Sequence, residues 1–424
     1  MAITIVAQPD TICYANSAVI YDVYSTANSN TDFQYSLSIK IWTGDKTSPP
    51  ANANYTLRKS PNAAGKATFD VSRLIREDIK VQNPSALLDK INDAVEDIVW
   101  VQVKIDATWN GGSETQVTAD TILATRGYTW YDMSEVNSNN DDHTGATYPT
   151  AFGTYVARDQ GILEAYGCVN ESLLLQYNYL YPTGGYLPTY APLTYNIYED
   201  GRLSFALFTD YVDEIKLTDD NGNEHSFYVG TTDASTDKLK YINVAPRKVR
   251  EYGLSWTNSY TITAYKDGVQ YAYTYTINVK CEPKYQPMQL IYLNKLGVWD
   301  YLTFFKLSSE SVETQKTTYL NSSFDLGTSS VPVSINREQG EMQNFNANGY
   351  RTYTLNTGYV HESEKHRIEQ LLLSERVIMD TGTNIYAVMV QDSKMDLKKS
   401  VNEKLINYTI SVRDAHRRIN KVNV

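Results

Sequence analysis

A chain of 424 residues, 42% hydrophobic and 21% charged, has room for about two to four domains and the composition of a globular protein, which excludes global disorder. Its formal net charge of −11 favours solubility and argues against general nucleic-acid binding. No stretch approaches the ~20 apolar residues of a membrane helix, and Cys13, Cys168 and Cys281 are too scattered for a zinc site or a disulfide framework.

The opening MAITIVAQPD has no basic n-region and no long apolar run, so no signal peptide is expected. The odd, dispersed cysteines fit synthesis in a reducing cytosol. Tyrosine is abundant, 35 against 10 phenylalanines. Tyr suits both a pleated sheet facing water and a surface held against neighbours.

Residues 1–130 read as a β-sandwich with a short helix. DFQYSLSIKIW alternates Phe33, Tyr35, Leu37, Ile39 and Ile41 against Gln34, Ser36, Ser38 and Lys40. IVWVQVKIDATW repeats the pattern with Val99, Val101, Val103 and Ile105. Between them Asp70 can cap a helix carrying Val71, Leu74, Ile75 and Ile79 on one face. Residues 131–150 are polar and turn-rich, a loop or linker.

Residues 151–285 read as a second, immunoglobulin-like sandwich without the Cys…Trp…Cys core of antibody domains. SLLLQYNYLY and LTYNIYEDGRLSFALF look like strands. EIKLTDDNGNEHSFYV is a hairpin, with Asn221-Gly222 suited to a type I′ turn, and a second hairpin turns at Asp267-Gly268. Its return strand places Tyr271, Tyr273, Tyr275, Ile277 and Val279 on one face.

Residues 286–424 read as a C-terminal α+β domain. ESEKHRIEQLLLSER is an amphipathic helix with Ile368, Leu371 and Leu372 opposite charged residues. The strands YRTYTLNTGYV, RVIMD, NIYAVMVQD and EKLINYTISVRDA flank it. IYLNKLGVWDYLTFFK (291–306) reads as a strand–turn–strand that joins the second domain to the third. Gly297 allows its bend, Asn294 and Asp300 can satisfy backbone groups there, and Trp299 is a natural buried anchor. The fold class is therefore mainly β: tandem sandwiches followed by a β-rich domain with one helix. Charge is uneven: residues 394–421, which include Arg417 and Arg418, hold eight cations against three carboxylates, leaving −16 for the remainder.

No catalytic signature is present: no G-x-S-x-G, no H-E-x-x-H, no Gly-rich phosphate loop. DDNGNE (219–224) has Glu224 where a calcium loop requires Gly, no bidentate Glu follows at the right offset, and it reads as a hairpin turn. Asp141, Asp142 and His143 read as a solvated loop, and His361 and His366 as surface residues beside a helix start. Carboxylates are too many for one glycosidase pair to stand out. The Tyr271–Tyr273–Tyr275 stripe is the best candidate for a carbohydrate platform, against its reading as one face of a sheet.

Several stretches taken in order carry a family likeness. ITIVAQPDTICYANSAVIYDVYS and GKATFDVSRLI stand near the start, YNIYEDGRLSFALF and IYLNKLGVWDYLTFFK in the middle, LLLSERVIMD and INYTISVRDAHRRIN at the end. This series resembles virion structural proteins of tailed phages of Bacteroidota, including crAss-like phages, over nearly the whole chain. The resemblance implies a non-enzymatic subunit without cofactors, made in the host cytoplasm and located in the virion. It would form or decorate a homo-oligomeric ring, six- or twelve-fold, in the tail or collar below the portal. Its partners would be copies of itself and portal, tail or collar proteins, with DNA passing the lumen and no membrane contact. A carbohydrate- or receptor-binding virion protein is the alternative, and a polysaccharide-degrading enzyme a third. The interface or structural candidates are Trp299, Gly297, Asn294, Asp300, Tyr271, Tyr273, Tyr275, Arg417 and Arg418.

Overall fold

A computed structural model describes residues 3–9, 12–94, 96–128, 194–208, 214–228, 239–266, 268–270, 274–281, 284–294, 297–325, 327–335, 337–338, 340–361, 364–392, 394, 396, 406–416 and 418–419. The protein is mainly β, built of several sheets. It divides into two compact units. The first comprises Met1–Cys281, Ile291–Thr303 and His361–Glu375; the second comprises Glu282–Leu290, Phe304–Val360 and Arg376–Val424.

The first unit begins with β1 (Ile3–Ala7), β2 (Ile12–Tyr14), β3 (Ile20–Ser25), β4 (Gln34–Trp42), β5 (Tyr55–Lys59), β6 (Lys66–Asp70), β7 (Ile91–Asp93), β8 (Ile98–Trp109), β9 (Gly112–Thr118) and β10 (Ile122–Thr125). One sheet runs β1-β3-β6, and a larger one β2-β10-β8-β4-β5 with β9 on β8. Alternation puts Tyr21, Val23 and Phe69 of the small sheet in one core with Tyr35, Leu37, Ile39, Val101, Val103 and Ile105 of the large one. Helix α1 (Ser72–Asp78) follows β6. Asp70 accepts the Ser72 N–H at 3.0 Å from one place outside the N-cap, Val71, and also the Val19 N–H at 3.2 Å.

The later strands of this unit are β11 (Thr194–Ile197), β12 (Ser204–Phe208), β13 (Glu214–Asp219), β14 (Glu224–Tyr228), β15 (Leu239–Asn243), β16 (Ser259–Lys266), β17 (Val269–Gln270) and β18 (Tyr275–Val279), with helix α2 (Pro246–Glu251) after β15. A sheet runs β11-β18-β16-β13-β14, with β17 on β16. A separate sheet runs β12-β15-β7. It ties the halves expected to be independent, because Ile91, Asn92 and Asp93 of the N-terminal region pair with Ile242, Tyr241 and Lys240.

The β13–β14 hairpin forms where the pattern placed it, with a different turn. Gly222 has φ +84°, while Asn221 is not among the positive-φ residues, so the turn is not type I′. The Gly222 N–H donates to the Asp219 carbonyl at 3.1 Å and the Asp219 N–H to the Asn223 carbonyl at 3.0 Å, so the loop is one residue longer than the two-residue turn. The Asp219 carboxylate explains this: it accepts the N–H groups of Asn221 (2.9 Å) and Asn223 (2.8 Å) and holds the loop open.

β19 (Met288–Leu293) and β20 (Trp299–Phe304) each carry the chain across the division between units, and helix α3 (Glu364–Leu373) belongs to the first. The boundary expected at residue 286 is therefore not one cut, since the hairpin and the helix cluster with the first unit. The second unit holds β21 (Ser309–Leu320), β22 (Phe324–Asp325), β23 (Ser334–Ile335), β24 (Met342–Val360), β25 (Val377–Asp380), β26 (Ile385–Val390), β27 (Ile406–Asp414) and β28 (Arg418–Ile419). Its strands run β25-β26-β27-β24-β21, with β28 on β24. Ile406, Tyr408, Ile410 and Val412 are the buried face of β27, as its alternation requires.

Candidate functional site: a buried junction and an uncovered arm

The turn between β19 and β20 closes through its own backbone. The Asn294 N–H donates to the Val298 carbonyl at 2.9 Å and the Gly297 N–H to the Asn294 carbonyl at 3.0 Å. The Asn294 Oδ1 accepts the Val298 N–H at 3.3 Å. Gly297 has φ +81°, and a Cβ there would lie 2.4 Å from the Gly127 nitrogen and 2.6 Å from the Arg126 carbonyl carbon. Both obstacles are backbone, so only glycine fits.

Trp299, 1% exposed, follows this turn. Its indole Nε1 donates to the Gln82 carbonyl at 2.7 Å, and its backbone N–H donates to the Tyr241 hydroxyl at 3.3 Å. The Tyr241 hydroxyl donates to Asp97 Oδ2 at 2.9 Å, and Asp97 Oδ1 accepts the Gln82 N–H at 2.5 Å. The four residues close a polar ring drawn from three distant parts of the sequence. Burial first, then Asp97, pushes the Tyr241 phenol well above its ordinary range, so it stays a donor.

Beside the ring lies a buried charge cluster. Asp300 Oδ1 accepts the Tyr301 N–H at 2.7 Å and the Tyr195 hydroxyl at 3.2 Å, and stands 3.5 Å from Arg367 Nη2. Arg367 Nη1 meets Glu364 Oε2 at 3.0 Å, one helical turn away on α3. Nη2 also donates to the Tyr301 carbonyl, and the guanidinium lies 4.3 Å over the Tyr195 ring. Burial raises the Glu364 carboxyl above the ordinary carboxylate range, with Arg367 opposing. Burial alone pulls Arg367 down, but Glu364, Tyr195 and Asp300 outweigh it and hold it well above its ordinary range. These groups are sealed from solvent. The arrangement fixes strand β20, helix α3 and strand β11 to one another.

The sequence pattern assigned the charged residues of α3 to solvent. Instead Glu364, Arg367 and Gln370 are buried with Ile368 and Leu371. The spacing 364, 367, 368, 371 is one helical face, and that was the available signal. A further tie joins Arg126 to Glu375 at 3.0 Å.

Tyr275 is fully buried and packs 6.1 Å from Phe205, so at this position the stripe faces the core and offers no platform. Tyr271, Tyr273 and Arg417, and the 131–150 loop with Asp141, Asp142 and His143, lie outside the described residues. Arg418 pairs through its backbone with Gly349, its side chain lying outside the described set, as does that of His366. His361 is exposed.

The second unit carries a feature of another kind. β21 and β24 pair from Ser309↔Thr354 to Leu320↔Met342 as a long ribbon, with the short β22–β23 hairpin beyond it. All twelve residues of β21 are exposed. The base of β21 is polar apart from Val312: Ser309, Glu310, Ser311, Glu313, Thr314, Gln315 and Lys316. The far end is apolar. Leu320 (77% exposed) stands opposite Met342 (69%), and Tyr319, Phe324, Val331, Val333, Ile335 and Phe345 are uncovered around them. Tyr319 meets Phe345 edge-on at 6.4 Å.

Compared with known proteins, the chain matches no family model and no curated protein. Among the described residues no helix is long and apolar enough to cross a membrane.

Proposed function

We propose that this chain is a structural, non-enzymatic subunit of a tailed-phage virion, forming or decorating a homo-oligomeric ring in the tail or collar below the portal. The observation that carries the assembly part is the arm from Ser309 to Phe345. From Lys316↔Ala347 outward the ribbon is two-stranded among the described residues, which is marginal in water by itself, and eight large apolar side chains gathered at its end are more than a stable monomer leaves bare. A partner that covers them turns that cost into binding energy. The virion attribution comes from the sequence likeness alone.

Light scattering across concentration with negative-stain imaging tests the assembly. Closed rings are expected, and Leu320→Asn with Met342→Asn is expected to shift them to monomers at unchanged melting temperature. A wild-type chain that stays monomeric at every concentration overturns the assembly reading, and glycan binding by that monomer favours a binding module instead. Recovery of its peptides from purified virions tests the attribution, and their absence overturns it.

A further inference from the structure

Two strand edges lie open in this chain, and their charges are opposite. β21 is the end strand of its sheet, bonded to β24 along one edge, with no strand on the other among the described residues. Such an edge is a template for another strand. The arm it belongs to, 309–341, is acidic, with five carboxylates (Glu310, Glu313, Asp325, Glu338, Glu341) against Lys316 and Arg337. Glu310 is paired with Arg351, whereas Glu313, three residues along on the opposite face of the strand, has no ion-pair partner among the described residues.

β5 is likewise an end strand, bonded only to β4. Its register aligns Arg58 with Ser36 and Asp106, and Thr56 with Ser38 and Lys104; Lys40 follows on the same face, opposite Gln102. That face therefore presents Arg58, Lys104 and Lys40 against Asp106, and none of the three cations has an ion-pair partner among the described residues. Lys59 adds charge at the end of β5, its Nζ donating to the Thr68 carbonyl at 2.8 Å. Two other end strands of the first unit, β11 and β14, do not match. Glu199 and Asp200 follow β11 and are already paired with Arg250 and Arg247. Glu224 opens β14 and is paired with Lys216 at 3.1 Å.

We propose that the outer edge of β21 in one copy adds as a strand to the outer edge of β5 in the next copy. Main-chain hydrogen bonds supply the contact, and Glu313 facing the Arg58 side supplies the register. The two edges differ, so the contact is head-to-tail, the kind that closes into rings. This inference rests on the assembly reading and names the surfaces that make it.

The test uses the full chain in three forms: Arg58→Glu, Glu313→Lys, and both together. All positions are exposed, and thermal melting reports whether each variant folds. Each single reversal is expected to lower the assembled fraction by about tenfold or more at low salt, because like charges then face each other, and the double reversal to restore it. Amide exchange of the wild type gives a second measure: 55–59 and 309–320 are expected to slow on assembly. Rings that form equally in every variant, with no slowing in either segment, overturn this inference alone. A wild type that never assembles overturns the assembly reading with it.

Discussion

Asp300 and Arg367 stand 67 positions apart in the chain and meet at 3.5 Å with 1% and 3% side-chain exposure. Taking both charges out of water costs several kcal/mol, and only tight partners offset it. Arg367 has them in Glu364, Asp300, the Tyr301 carbonyl and the Tyr195 ring.

Arg367→Met leaves two buried carboxyls without their cation. Chemical denaturation is expected to show a loss of about 3–5 kcal/mol. Arg367→Lys is expected to recover only part of it, since an ammonium cannot span Glu364 and the Tyr301 carbonyl while stacking on Tyr195. A Met variant within about 1 kcal/mol of wild type would remove the cluster from any structural account.

Trp299→Ala empties the largest fully buried side chain among the described residues and orphans the Gln82 carbonyl. A loss of about 3–5 kcal/mol is expected. Trp299→Phe keeps much of the volume but not the N–H, and is expected to lose about 1–3 kcal/mol. Equal losses in the two variants would mean that the hydrogen bond, not the packing, sets the cost. A Trp299→Ala protein that melts and assembles like wild type contradicts the anchor role.

Gly297→Ala tests the backbone contact. The added methyl meets two backbone atoms at a φ that L-residues avoid, so the turn must open. A lowered melting temperature is expected, together with faster amide exchange at Asn294 and Val298. Gly222, with the same sign of φ but open space around its Cβ, serves as control, and Gly222→Ala is expected to cost less.

A pH dependence follows from Lys90 and His225, whose Nζ and Nε2 stand 2.8 Å apart. His225 stacks on Tyr252 at 5.4 Å, and the Lys90 ammonium lies 4.3 Å over Phe227. An ammonium donates, so Nε2 accepts and the imidazole is neutral. Burial, then Lys90, lowers the His225 pKa below its ordinary 6.5. The unfolded chain thus takes up the proton first, and stability contributed here is full above pH 6.5 and falls as pH drops toward the folded value. Glu364 acts in the other sense, its raised pKa favouring the fold as pH falls toward 4.5. Melting curves between pH 7.5 and 5 are expected to slope less for His225→Gln than for wild type. Parallel curves would show that the pair does not titrate in this window.

Period-two alternation located β4, β8 and β27 and their buried faces, because each packs one side on a core. It served β20 poorly, where all six residues are buried and alternation has nothing to report. It also hid the shared sheet: Ile91–Asp93 is three residues long, and its partner lies beyond residue 238. The pattern misplaces Arg367 because a charged residue on an amphipathic helix ordinarily faces water, and Asp300, the Tyr301 carbonyl and Tyr195, far away in sequence, help make its burial tolerable. The arm is hidden in the sequence for the opposite reason. Its apolar residues look like ordinary strand content until the fold leaves them uncovered.

The division of the chain has a consequence for synthesis. The path changes unit five times, after Cys281, Leu290, Thr303, Val360 and Glu375. A nascent chain that has emerged to Cys281 holds Gln82, Asp97, Tyr195 and Tyr241 but not the Trp299 and Arg367 that complete their surroundings. The interior of the first unit therefore closes only after residue 367 has left the ribosome, late in translation. Until then Tyr195 and Tyr241 wait in an open core, exposed to chaperones and to one another's copies. A stop codon anywhere between 282 and 367 is expected to yield an insoluble fragment rather than a working half.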